Sequence, residues 1–136
     1  MTERPTIQHG DVVTAAEYRA LLTAVGWRPP EQPDEEVEAG LATTWNITAR
    51  ADDGRLIGLV RVMDDGLLYA SIWDLIVAPD YQRQGIGRAL LGAALERTAE
   101  RRLVSLIATS AGDALYRSAG FAERDSRSTA LFMRRG

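Results

Sequence analysis

Val77-Ala78-Pro79-Asp80-Tyr81-Gln82-Arg83-Gln84-Gly85-Ile86-Gly87-Arg88 is the point at which one backbone periodicity gives way to another. Upstream, Ile72 to Val77 is apolar at every position except Asp74, the mark of a strand buried on both faces in the middle of a sheet. Downstream, Ile86, Leu90, Leu91, Ala94, Leu95 and Thr98 recur on one helical face, with Arg88, Glu96 and Glu100 elsewhere. The segment between is therefore a strand-to-helix loop. A helix start presents unpaired N–H groups and about half a positive charge. Glycines at 85 and 87 let a phosphate approach that backbone without a Cβ in the way, and Arg83 and Arg88 can add charge-assisted contacts. A dinucleotide fingerprint needs a third glycine three residues after Gly87, where Leu90 stands. The bland alternative is a tight turn with no ligand.

Working outward from this loop, Leu68–Val77 reads as a long central strand and Leu103–Ala108 as a second buried one. The helix between them, Gly85 to about Arg102, makes the pair parallel through a right-handed crossover. Before it, Trp45–Ala51 and Leu56–Met63 are strands joined by Asp53-Gly54, and Asp65-Gly66 turns the chain into the central strand. Thr6–Gln8 is a short first strand. Thr14-Ala15-Ala16-Glu17 is a capping box opening a helix through Tyr18, Leu21, Leu22 and Val25 that stops near Gly26. Pro29, Pro30 and Pro33 exclude regular helix there, and Asp34 is expected to cap a short helix through Val37 and Leu41. Asp113–Ala119 is a short helix ended by Gly120, and Phe121–Arg124 with Thr129–Arg134 reads as a closing hairpin. The expectation is an α/β (α+β) fold, with a mixed twisted sheet of about seven strands and about four helices, in one domain spanning residues 1–136.

Composition narrows the function. All 16 basic residues are arginine, so a lysine-dependent P-loop is excluded. There are no cysteines, hence no disulfide, thiolate metal site or cysteine nucleophile, and His9 is the single histidine. No metal-ligating set is read. Net charge is −3 without a basic tract, against nucleic-acid binding. No apolar run is long enough to span a membrane and no leader is read at the N-terminus, so a cytoplasmic protein is expected.

Gln82-Arg83-Gln84-Gly85-Ile86-Gly87 resembles the Q/R-x-x-G-x-G/A signature of the GCN5-related N-acetyltransferase superfamily, with Val77-Ala78-Pro79 before it and Arg88-Ala89-Leu90-Leu91 after it in the usual context. Leu115-Tyr116-Arg117-Ser118-Ala119-Gly120-Phe121 is similar to that family's second signature. The element order matches over nearly the whole chain. The resemblance implies transfer of an acetyl group from acetyl-coenzyme A to an amine. It implies that Gln82 and the amides from Arg83 through Gln84, Gly85, Ile86 and Gly87 to Arg88 hold the pyrophosphate. Leu75, Ile76 and Val77 would pair with the pantetheine arm as an added strand. A bulge near Asp74 would splay Leu68–Val77 from Leu103–Ala108 into a V-shaped slot. Tyr116 would protonate the leaving thiolate. Asp74 has three open readings: general base, amine anchor, or a buried carboxylate satisfied by backbone donors. Thr109 and Asp113 stand near where many relatives keep an asparagine.

For the acceptor, the resemblance assigns a wall to the region of Trp27, Trp45 and the acidic residues Glu31, Asp34, Glu35, Glu36 and Glu38. An aromatic amine suits such a wall, as does the solvated-helix reading of the same charges. Ser71-Ile72-Trp73-Asp74-Leu75-Ile76-Val77-Ala78-Pro79-Asp80-Tyr81-Gln82 is similar to plant serotonin N-acetyltransferases, a stretch that concerns the donor side. Aminoglycosides, polyamines and protein N-termini stay open, as does a non-catalytic acyl-coenzyme A-binding module. Both monomer and homodimer are compatible, the latter through the apolar run Ala130-Leu131-Phe132-Met133.

Overall fold

The computed structural model describes residues 4–123 and 127–135. Its order is β1 (Thr6–His9), α1 (Ala15–Ala24), α2 (Asp34–Ala42), β2 (Trp45–Arg50), β3 (Leu56–Asp64), β4 (Tyr69–Val77), α3 (Ile86–Arg97), β5 (Leu103–Leu106) and α4 (Asp113–Ser118), with a 3-10 turn at Pro79–Tyr81. The strands lie in the order β1-β2-β3-β4-β5. The first three junctions are antiparallel, and β4 and β5 are parallel, as the crossover through α3 requires.

Alternation along β3 sends side chains to two cores. Val60 and Val62 pack with Ile47, Ile72 and the α3 residues Leu90, Leu91 and Ala94. Leu59, one residue out of phase, packs with Ile76 and with Tyr18, Leu21 and Leu22 of α1 and Val37 and Leu41 of α2. Each such leucine contributes roughly 1.5–3 kcal/mol by leaving water. A Cβ on Gly58 would stand 3.0 Å from Leu90 Cδ1 and 3.1 Å from Ala49 Cβ, so the glycine is what lets α3 lie so close to the sheet. The capping box forms: Thr14 Oγ1 accepts from Glu17 N–H at 3.1 Å, and Glu17 Oε1 accepts from Thr14 N–H at 3.0 Å.

Three expectations are corrected. Among the described residues five strands are present rather than seven: Phe121–Glu123 and Thr129–Arg134 form no strand, and Arg124 lies outside the described residues. Leu131, Phe132 and Met133 are 90%, 70% and 78% exposed, and β5 is only four residues long, a short edge on which to template a hairpin. Asp34 is the first residue of α2 instead of its cap: Pro33 occupies that position without a side-chain hydrogen bond, and the Asp34 carboxylate pairs with Arg19. Finally, α3 stops at Arg97, where Thr98 Oγ1 donates to Ala94 O at 2.9 Å. Among the described residues no helix is long and apolar enough to cross a membrane.

Candidate active site

The glycine loop folds as a helix start with an open front. Gly85 is the N-cap of α3 in the left-handed region, φ 84°, and nothing lies within 4 Å of where its Cβ would be. Among the described residues no acceptor within the chain meets the amides of Gly85, Ile86, Gly87 or Arg88. Ile86 is buried and anchors the turn, while Arg83, Gln84 and Arg88 are exposed. Gly87 sits between strand and helix, its Cβ position 3.7 Å from Val77 Cγ2 and 3.8 Å from Leu115 Cδ2. Gln82 Nε2 donates to Val77 O at 2.9 Å, so that side-chain amide braces the loop against the end of β4. This is a cradle of free amides at a positive helix end, a fit to a pyrophosphate.

The strand feeding the loop is bulged. Leu59 faces Ile76 and Arg61 faces Trp73, so two steps along β3 match three along β4. The extra residue falls at Asp74, which takes φ 52°. On its other side β4 pairs with β5 only from Tyr69 to Ile72. Trp73 to Val77 therefore has a free edge towards β5, and the splay expected between the two parallel strands is present, with Leu75, Ile76 and Val77 on it.

Beyond the bulge a cleft of about 580 Å³ opens between α1, α2 and the sheet, lined by Tyr18, Trp27, Glu36, Gly40, Arg61 and Asp74 among others. The Asp74 carboxylate is gripped from one side. Its Oδ2 accepts from the Tyr18 hydroxyl and, at 3.2 Å, from Arg61 Nη1. Arg61 is itself held: its Nη2 donates to Gly40 O at 3.3 Å, its Nε to Thr44 Oγ1 at 3.1 Å, and its guanidinium lies 5.4 Å from the centre of the Tyr18 ring. Asp74 Oδ1 has no partner among the described residues and is not sealed from solvent. Burial, reinforced by the carboxylate of Asp74, pushes the Tyr18 hydroxyl up to about 12, which keeps it protonated through neutral pH.

Neither Arg61 nor Tyr18 was singled out from the sequence. Tyr18 fits the apolar stripe of α1. The signal for Arg61 was present in a lone charge within Leu59-Val60-Arg61-Val62. The acidic residues are mostly engaged away from the cleft, in keeping with the solvated-helix reading of these charges: Glu31 pairs with Arg28, Asp34 with Arg19, and Glu38 accepts from Ala15 N–H. Glu36 alone of that group lines the cleft. Trp27 lines it as expected, whereas Trp45 does not; its ring stacks under Arg97 at 3.8 Å and fills the space beside Gly10.

Tyr116 lies on α4, whose end explains the second signature. Phe121 N–H donates to Tyr116 O at 3.1 Å, Gly120 N–H to Arg117 O at 3.1 Å, and Gly120 takes φ 105°. This is a Schellman motif, which needs glycine at that position and an apolar contact across the turn. Tyr116 and Phe121 supply the contact edge to face, with ring centres 6.2 Å apart. The Tyr116 side chain is buried, and its burial raises the hydroxyl above the ordinary tyrosine range. Its oxygen has no partner among the described residues, yet it is not sealed. His9, on the edge strand β1, pairs with Ile47 and stands apart from this cleft.

Residues 44–123 match the family model described as an acetyltransferase (GNAT) domain. A Streptococcus pneumoniae acetyltransferase of the GNAT family superposes with a TM-score of 0.77 at 31% identity, covering 97% of this chain and 99% of that one. Glycine max histone acetyltransferase TAP1 is 31% identical over 88% of this chain and 56% of its own length. The chloroplastic GCN5-related N-acetyltransferase 2 of Arabidopsis thaliana is 27% identical over 89% of this chain and 55% of its own. The chain thus spans about half the length of these curated relatives. With the strand splay, the loop and both motifs in place, it belongs to the GNAT family of acetyltransferases.

Proposed function

We propose that this acyltransferase moves an acetyl group from acetyl-coenzyme A to a primary amine on a small molecule. The observation that carries the reading is the bulge at Asp74, which presents a carboxylate to the cleft while freeing the edge of β4 behind it. Acetyl-coenzyme A, when bound, supplies the thioester carbonyl for direct attack, and coenzyme A thiolate is the leaving group. The amides from Arg83 to Arg88 take the pyrophosphate, and Leu75, Ile76 and Val77 take the pantetheine as an added strand. Asp74 Oδ1, the unengaged carboxylate oxygen, receives the incoming amine as its ammonium. Solvent in the open cleft takes one proton so that the neutral nitrogen attacks the carbonyl, and the proton that nitrogen sheds as the thiolate leaves restores Tyr116. The Oδ2 contacts with Tyr18 and Arg61 favour this anchoring role over that of a free base. Tyr116 keeps its proton through neutral pH and gives it to the departing thiolate, a contribution of roughly 10²–10⁴-fold.

Trp27 and Glu36 on the cleft wall support an amine with an aromatic body, the arylalkylamine class. A cytoplasmic setting suits a chain without cysteines. The test is a panel of arylalkylamines, polyamines, aminoglycosides and peptide N-termini, read by release of free thiol. Turnover of the aromatic amines above the rest supports the reading. Coenzyme A binding with no turnover of any amine would make the chain an acyl-coenzyme A-binding module.

A further inference from the structure

The left-handed turn at Asp74 is held by side chains that come from two other elements. A non-glycine residue at φ 52° is strained, although aspartate tolerates the region better than most. Asp74 is the unmatched residue of the bulge, out of register with β3. The restraint is Arg61 from β3 and Tyr18 from α1, both donating to the same oxygen, with Arg61 tied in turn to Gly40 O and Thr44 Oγ1. Arg61 and Asp74 side chains are each only 18% exposed, so the pair is shielded from solvent screening.

We infer that Arg61 and Tyr18 are positioning residues that lock the Asp74 bulge, and that this one lock sets both halves of the site. By holding Oδ2 they turn Oδ1 towards the acceptor cleft. By holding φ at 74 they keep the following backbone, Leu75 to Val77, turned away from β5. The first effect rests on the amine-transfer reading above; the second concerns the coenzyme slot alone. If the lock acts on the backbone, its value must vanish when residue 74 no longer resists the left-handed turn.

The experiment is a two-by-two cycle of Arg61→Met and Asp74→Gly, with coenzyme A dissociation constants from titration calorimetry. Glycine adopts positive φ freely. Arg61→Met alone weakens coenzyme A about tenfold, the factor that left-handed strain at a non-glycine residue commands. Asp74→Gly sets its own coenzyme A baseline, and Arg61→Met costs nothing further on that background. Equal loss from Arg61→Met on both backgrounds, or none on either, overturns the lock. Arg61→Lys recovers part of the affinity. Where Arg61→Met does not fold, Tyr18→Phe serves, with a smaller loss of about threefold for one of two donors and the same disappearance on Asp74→Gly. In turnover, Arg61→Lys raises KM for the amine more than it lowers kcat, whereas a merely structural role lowers activity through the melting temperature alone. A native chain that binds coenzyme A but acetylates no amine sinks the proposed function and leaves the cycle readable. A native chain that does not bind coenzyme A sinks both.

Discussion

Gly85→Ala separates a ligand cradle from a turn. Gly85 stands at φ 84° and ψ 4°, and its missing Cβ faces open space. Alanine therefore meets no clash, and the cost is conformational, about 1–2 kcal/mol for the left-handed region. For a chain of this size that lowers the melting temperature by roughly 3–6 °C. Alanine also relaxes towards negative φ and rotates the amides of Ile86 and Gly87 away from their common aim. A hydrogen bond to a charged group is worth about 1.5–3 kcal/mol, so losing one such amide weakens acetyl-coenzyme A about tenfold or more. Gly92→Ala is the control: its Cβ also faces open space, but in the interior of α3, where alanine is favoured by about 0.5–1 kcal/mol. It should raise the melting temperature and leave acetyl-coenzyme A affinity alone. The assay is thermal unfolding beside calorimetric titration of the two variants. A Gly85→Ala protein that melts lower as expected but binds acetyl-coenzyme A like the native chain would show that the loop is a turn and no phosphate site.

Tyr116→Phe should lower kcat by about 10²–10⁴-fold with KM for acetyl-coenzyme A little changed, since the hydroxyl makes no bond within the described chain; a native kcat ends its role as acid. Thr14→Ala removes the capping box of α1, which carries Tyr18, and should cost about 1 kcal/mol, read as a lower urea midpoint at unchanged slope. At high pH the folded Tyr18 keeps its proton to about 12, whereas the unfolded tyrosine releases its own near 10. Its contribution is thus complete below pH 10 and is lost as pH rises towards 12, so Tyr18→Phe should flatten the alkaline fall in melting temperature. At low pH the sign reverses for Glu17, which the Arg50 guanidinium holds below its ordinary value of 4.5. Its contribution is present above that value and lost as pH falls, and Glu17→Gln should shrink the drop in melting temperature between about pH 5 and 3.

What could be read from sequence alone was whatever local chemistry determines. The capping box at Thr14, the glycine turns at Gly54 and Gly66, and the strand-to-helix switch at Gly85 rest on neighbours in the chain, and each stands where the pattern put it. The cleft wall depends on contacts between distant residues. Trp27 and Trp45 look alike in sequence, but one lines the cleft and the other packs under Arg97. Tyr18 and Asp74 meet although they stand 56 residues apart in the chain, a proximity no spacing rule encodes. The closing hairpin fails for the same reason in reverse. Its apolar run satisfies the strand pattern, yet a strand also needs an edge, and β5 supplies only four residues of it.

The two places where the described backbone departs from what its residues prefer are Asp74 and Arg83, the non-glycine residues with positive φ. Each costs of order 1–3 kcal/mol against a total stability of about 5–15, so neither persists without outside support. The supports differ in kind. Asp74 is restrained by side chains from α1 and β3. Arg83 follows Gln82, whose side chain bonds back to Val77 O, and stands two residues before Gly85, the N-cap of α3. The two strained residues bracket the run from the cleft to the cradle, and Val77 belongs to both arrangements: its strand is displaced by the bulge, and its carbonyl secures the loop. A shift at Asp74 is therefore expected to reach, along β4, the amides that we propose to face the pyrophosphate. This is the physical reason for expecting a perturbation on the acceptor side to be felt in coenzyme affinity.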